Sequence, residues 1–350
     1  TISPLKKQIV NYSKSETLGR MLPSQEERKR RALAFYDSEA AMQEMDNFSW
    51  AVPNVLTPFV GNGPRPGKND NALINSMQFR ADKEVTMPKP DHVYRIFITG
   101  GSTAYGSGAP DQERIIGGYL ERILNTELSP ITKMKYEVFT MANPAWASTH
   151  ERIIVENRLS ELEPDMVISY SGNNDVHWGR LGRNVLWFRS YADQHFWDML
   201  NTAYESAGYS PMPEVVEVDS SPIRPSVVAD RLEKNIRLIC FTLSMQGARY
   251  VFVLQPNLFV STKPLTAREH ELLQSRTPAV RDYFSQCYAE LESRLAALSI
   301  GNFAYVDQSD IFGDFTDKDE IFLDSCHFGD RGNEIVARRL FERLRSIIEE

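Results

Sequence analysis

From Val93 onward, short apolar runs rich in β-branched residues alternate with longer segments whose apolar positions recur every three or four residues. The short runs predict strands at Val93–Thr99, Tyr136–Met141, Met166–Tyr170, Tyr250–Leu254 and Phe303–Val306. The longer segments predict helices near Glu113–Asn125, His150–Leu162, Ala229–Gln246, Val280–Leu298 and Gly332–Ile348. In the helix near Ala229, for example, Leu232, Ile236, Ile239 and Leu243 make one stripe, and Gly247 ends it. Strand and helix in strict alternation predict a parallel central sheet with helices on both faces, joined by right-handed crossovers.

Two stretches depart from this rhythm. Residues 1–90 read as an N-terminal lead-in packed on the core, and residues 91–350 as the α/β domain. In the lead-in, Ser24 to Met45 is rich in helix formers, and Ser24 with Glu27 forms a capping box. After Trp50, Pro53, Pro58, Gly61, Gly63, Pro64, Pro66 and Gly67 break any regular element. The second departure is an insertion at about 178–228, which opens on an aromatic cluster (Trp187, Phe188, Tyr191, Phe196, Trp197 and Tyr204) and continues through Pro211, Pro213, Pro222 and Pro225. It is long for a connection that directly follows a strand end, and reads as a wall or lid of the site.

Composition narrows the function classes. At 350 residues the chain fits one elaborated α/β domain. A net charge of −8 argues against nucleic acid as a partner. No apolar run approaches the ~20 residues of a membrane helix. Cys240, Cys287 and Cys326 are too few and too scattered for a disulfide framework or a cysteine zinc site. Asp314, Asp317 and Asp319 lack the glycine and the closing glutamate of a calcium loop and read as a surface turn. His150 and His195 are isolated, and Gly106-Ser107-Gly108 lacks a phosphate-loop lysine, so neither a metal nor a nucleotide cofactor is expected.

Three stretches at predicted strand ends carry candidate chemistry, and strand C-termini are where open α/β sheets bind ligands. Gly100-Gly101-Ser102 ends the first strand in a tight turn that leaves the Ser102 hydroxyl exposed as a nucleophile. Gly172-Asn173-Asn174-Asp175 follows the third strand, where an Asn-Asn-Asp run on its own reads as a capped loop. Asp324-Ser325-Cys326-His327 precedes the last helix. Acyl transfer needs a nucleophile, a base, a group to orient the base, and donors for the oxyanion. Ser102, His327, Asp324 and the Asn174 amide with the Ser102 N–H supply these in turn.

With these blocks the chain resembles the SGNH (GDSL-type) hydrolases over Val93 to roughly Leu344. The nucleophile block appears as Gly-Gly-Ser-Thr, with Gly101 where the family more often has aspartate. The Gly-x-Asn-Asp block is intact at 172–175, and Asp324 to His327 supplies the Asp-x-x-His block. The resemblance implies a three-layer α/β/α, flavodoxin-like fold and catalytic roles for Ser102, Asp324, His327 and Asn174. It also implies a serine esterase that removes a short acyl group, acetyl foremost, from a carbohydrate or another polar molecule. An O-acyltransferase using the same triad is the alternative, and a catalytically silent binding module is a third reading. In such enzymes a glycine N–H after the second strand is a further oxyanion donor, but here the segment reads Asn143-Pro144-Ala145-Trp146-Ala147-Ser148. An N–H from Ala145, Ala147 or Ser148 can replace it, and Ala147 is carried forward as the candidate. Trp146, His177 and Trp187 are the candidate substrate contacts. The Asn75-Ser76…Phe79-Arg80 segment implies, by the same resemblance, a periplasmic or secreted setting, whereas the free cysteines pull toward a reducing compartment.

Overall fold

The computed structural model describes residues 52–69, 71–183, 191–211 and 221–349. The helix expected at Ser24–Met45 and the candidate contact Trp187 lie outside them. Two small antiparallel pairs come first: β1 (Asn54–Thr57) with β2 (Gly61–Pro64), and β3 (Gly67–Lys68) with β4 (Leu73–Ile74).

The central sheet has five parallel strands in the order β6-β5-β7-β8-β9. These are β5 (Val93–Gly100), β6 (Lys135–Ala142), β7 (Met166–Ser171), β8 (Arg249–Leu254) and β9 (Phe303–Asp307). Each strand fully buried on both faces must be apolar on both, and β5 and β8 divide their residues accordingly. Ile96, Ile98, Val251 and Val253 enter one core with α2 (Ile116–Ile123) and the last helix; Phe97, Tyr250, Phe252 and Leu254 enter the other. That second face is covered by α3 (Ser148–Ile154), α4 (Asn173–Arg180), α6 (Pro225–Ser244), which follows α5 (Tyr191–Ser206) in the chain, and α8 (Pro278–Ala297), which follows α7 (Ala267–Gln274). The last helix is α9 (Asp330–Glu349). This is the layered α/β arrangement the hydrophobic pattern predicts.

The connections place the site. β5 pairs with β6 on one side and β7 on the other, so the chain leaves β5, adds a strand to its left, then crosses to its right. Consecutive crossovers therefore diverge at the C-terminal end of β5, the switch point at which such sheets open a ligand crevice. Ser102 lies there, on the single helical turn α1 (Ser102–Tyr105).

The described part of the lead-in is built into this edge. Phe79 is fully buried and stacks on Phe97 of β5, with ring centroids 5.4 Å apart. Arg80 donates its backbone N–H to Thr140 of β6 and its guanidinium to the carbonyls of Tyr105 and Gly106, the end of the nucleophile turn. Sequence reading assigns Arg80 no such task.

Candidate active site

Ser102 and His327, 225 residues apart, meet at the sheet edge: His327 Nε2 lies 2.6 Å from Ser102 Oγ. On the other side of the ring, His327 Nδ1 lies 2.7 Å from Asp324 Oδ2. Asp324 is itself fixed by the turn it spans, since its Oδ1 accepts the backbone N–H groups of Cys326 and His327, both at 2.9 Å. Three donors on one carboxylate favour the charged form. Burial pushes the Asp324 pKa up, but the facing imidazole and these hydrogen bonds outweigh it and hold it near 2. For His327 burial favours the neutral ring, while the Asp324 charge overcomes it and raises the pKa above the ordinary imidazole value.

The loop carrying both residues is held from below. Glu269 and Lys263, each fully buried, form an ion pair at 2.6 Å. The other oxygen of Glu269 accepts the N–H groups of Ile321 and Phe322, just ahead of Asp324. The Thr266 hydroxyl accepts the Glu269 N–H at the start of α7, and the Glu269 carboxylate returns to the Thr266 N–H. This Thr-x-x-Glu capping box was the available signal for α7, which the sequence reading passes over.

Ser102 is less open than the turn suggested, only 9% exposed. Its N–H, at the first position of α1, has no acceptor among the described residues. The segment read as a loop at Asn173–Asp175 is the start of α4, because Gly172 at φ +106° turns the chain straight from β7 into the helix. Asn174 then donates Nδ2 to the Trp146 carbonyl at 2.6 Å. Asn173 accepts from the fully buried Asn257 at 2.7 Å, and Gln255 donates to Thr103 at 3.2 Å. Neither Gln255 nor Asn257 stands out in the sequence.

Two expectations change. Ala147 caps α3, and its N–H is taken by His150 Nδ1 at 3.2 Å, so it is not a free oxyanion donor; Ser148 N–H is likewise taken by Asp175 Oδ2 at 3.1 Å. The Ala145 N–H has no acceptor among the described residues, and Ala145 adopts φ +72°, a backbone state that favours glycine. Trp146 is fully buried and points its Nε1 toward Asn62 Oδ1 at 3.4 Å, so its side chain packs under the lead-in and only its carbonyl reaches the site. His177 faces its neighbour Trp178 edge-on. Burial first, then the charges of Arg180 and Arg276, push its pKa down to about 4.

A cavity of about 290 Å³ opens between α3, α4, α6 and the tip of the β1–β2 hairpin. Trp178, Arg183 and Arg231 line it with Ala147 and Asp175. The insertion helix α5 touches β2 beside it. Asp324, Cys326 and His327 are the only group of three potential metal ligands found among the described residues, with ligand atoms within 4.8 Å of one another. The His327–Asp324 hydrogen bond already joins two of them. Among the described helices, none is long and apolar enough to cross a membrane.

No family model matches the sequence, and no curated protein does. Among solved structures the chain is similar to the acetyl xylan esterase AlAXEase, at 15% identity over 71% of this chain and 98% of that one, with a TM-score of 0.41. It is also similar to TesA, at 13% identity over 72% and 98%, with a TM-score of 0.41. A variant of Axe2, an acetyl-xylooligosaccharide esterase from Geobacillus stearothermophilus, aligns at 12% identity over 71% and 93%, with a TM-score of 0.43. These likenesses are distant, and the functional reading rests on the geometry of the site itself.

Proposed function

We propose that this protein is a serine ester hydrolase that removes a short acyl group, acetyl foremost, from a carbohydrate or another polar molecule. The carrying observation is the Ser102–His327–Asp324 relay, with 2.6 and 2.7 Å contacts at the C-terminal edge of a parallel sheet.

His327 takes the Ser102 proton as Oγ attacks the ester carbonyl, and Asp324 stabilises the imidazolium that forms. The negative charge on the tetrahedral intermediate falls to the Ser102 N–H and to the second hydrogen of Asn174 Nδ2, the first being held by Trp146. Collapse of the intermediate expels the alcohol, which takes its proton from His327 and leaves an acyl-enzyme. Water, deprotonated by His327, then releases the carboxylic acid and restores Ser102. The near-burial of Ser102 suits a small acyl group. Turnover of an activated acetyl ester by the wild type, and its loss in a folded Ser102→Ala variant, tests the reading; retained turnover removes Ser102 from the mechanism.

A further inference from the structure

We propose that the cavity beside the nucleophile turn holds the alcohol portion of the ester and selects alcohols that carry an anionic group, a carboxylate on a sugar-sized ring foremost. The chemistry rests on the hydrolase reading above; the recognition rests on other residues.

The cavity wall continues in sequence into the residues beside the nucleophile turn. Its wall residues Ala147 and Asp175 follow Trp146 and Asn174 in the chain. The carbonyl of Trp146 and the amide of Asn174 are bonded to each other directly against Gly101. In the proposed complex an ester held with its carbonyl at Ser102 has its alcohol in this space.

Among the described residues the charge in the cavity is unbalanced. Arg183 and Arg231 both line it, and neither has a carboxylate within ion-pair distance among the described residues. Asp230, next in sequence to Arg231, pairs with Arg294 instead. Among the described residues Asp175 is the one wall carboxylate, and its two oxygens are engaged by the backbone N–H and hydroxyl of Ser148. Arg183 Nε is buried without a protein acceptor among the described residues. A partly dehydrated guanidinium facing a cavity is a strong donor fork for a carboxylate or a sulfate. Arg231 is half-buried, which holds it below its ordinary pKa against the pull of Asp175. Arg180 and Arg276 place further positive charge near His177, on the helix that carries Trp178, in a chain whose net charge is −8.

The remaining walls fit a ring. Trp178 is fixed by its Nε1 bond to the Ala145 carbonyl at 3.1 Å and offers a rigid aromatic surface. Phe59, 77% exposed, stands at the hairpin tip on the opposite rim. A volume of about 290 Å³ accommodates a single polar ring.

The test compares methyl glucuronide, methyl glucoside and the corresponding sulfated glucoside. Calorimetric titration into Ser102→Ala measures binding, and hydrolysis of their mono-acetyl derivatives by the wild type measures selection. The glucuronide should bind roughly 10- to 100-fold more tightly than the glucoside. Its acetyl ester should be preferred by a similar ratio in kcat/KM, and Arg183→Gln with Arg231→Gln should bring both ratios toward one. Equal binding of charged and neutral ligands, or ratios that the two substitutions leave unmoved, overturns the proposal. A sulfate preferred to the carboxylate overturns the choice of anion. Selective anion binding without turnover of any ester upholds the subsite and overturns the hydrolase reading instead.

Discussion

Asn174 occupies the space that a side chain on Gly101 would need: a Cβ built on Gly101 would lie 2.2 Å from Asn174 Nδ2. Contact that close forces something to move, and the Trp146 carbonyl, 3.1 Å from the same point, blocks the other side. The glycine just before the nucleophile therefore admits the amide that would bind the oxyanion. Gly101→Ala and Asn174→Ala should each lower kcat on an acetyl ester by roughly 10²–10³. Because both remove one interaction, the double variant should fall no further than the worse single variant. Additive losses in steady-state kinetics would separate the two residues.

The pH profile should carry the mark of Asp324. His327 must be neutral to accept the Ser102 proton, so activity rises with pH as the ring deprotonates. Asp324 favours the charged ring and outweighs the effect of burial, so the acid limb of kcat/KM should lie above the ~6.5 of a free imidazole. In Asp324→Asn that cause is gone. The limb should move toward lower pH, while kcat falls by roughly 10³–10⁴ as the ring loses its orienting acceptor. A limb that does not move would mean that another group sets it.

How far the sequence reaches can be judged from single residues. The strands at Val93 and Met166 are legible because strands buried on both faces show as near-continuous apolar runs, here around Ile96-Phe97-Ile98 and Met166-Val167-Ile168. The strand pairs between Asn54 and Ile74 are not, since a Gly- and Pro-rich stretch has no alternation to read. Ser102 stands out because it ends a predicted strand, and Asp324 and His327 because they share a short motif ahead of the last predicted helix. The tryptophans show where the pattern fails: Trp146 looked like a site residue and is buried under the lead-in, while Trp178 lines the cavity. Which tryptophan faces open space depends on where α3 and α4 pack, and no local spacing encodes that.

Glu151 gives a stability test with a definite sign. It is fully buried, with one oxygen bonded to the Ser171 hydroxyl at 2.6 Å and the other without a partner among the described residues. Burial, opposed by the serine hydroxyls, pushes its pKa up to about 7. The folded chain thus keeps a proton that the unfolded chain releases near 4.5, and stability declines as pH rises from there to about 7. Glu151→Gln removes the penalty. Its Tm should exceed that of the wild type at about pH 8, by at most about 3 kcal/mol in stability, and match it near pH 4.5. A Tm difference independent of pH would contradict this.

The Lys263–Glu269 pair should behave as a buried ion pair that also braces the histidine loop. Glu269→Gln alone leaves the Lys263 ammonium buried without its counter-charge and should cost roughly 3–5 kcal/mol in denaturant unfolding. Adding Lys263→Met should recover most of that loss. The glutamine oxygen can still accept the N–H groups of Ile321 and Phe322, the bonds that place Asp324 and His327. If the double variant is no more stable than Glu269→Gln, the charge pair itself is what holds the loop.

The most direct test of the account is covalent capture of the nucleophile. After incubation with a serine-directed fluorophosphonate, intact-protein and peptide mass spectrometry should find one adduct, on Ser102. The adduct should be absent from Ser102→Ala and strongly reduced in His327→Ala, whose serine has lost the base 2.6 Å away. A folded wild-type protein that takes up no label, or takes it up at another serine, would contradict the account.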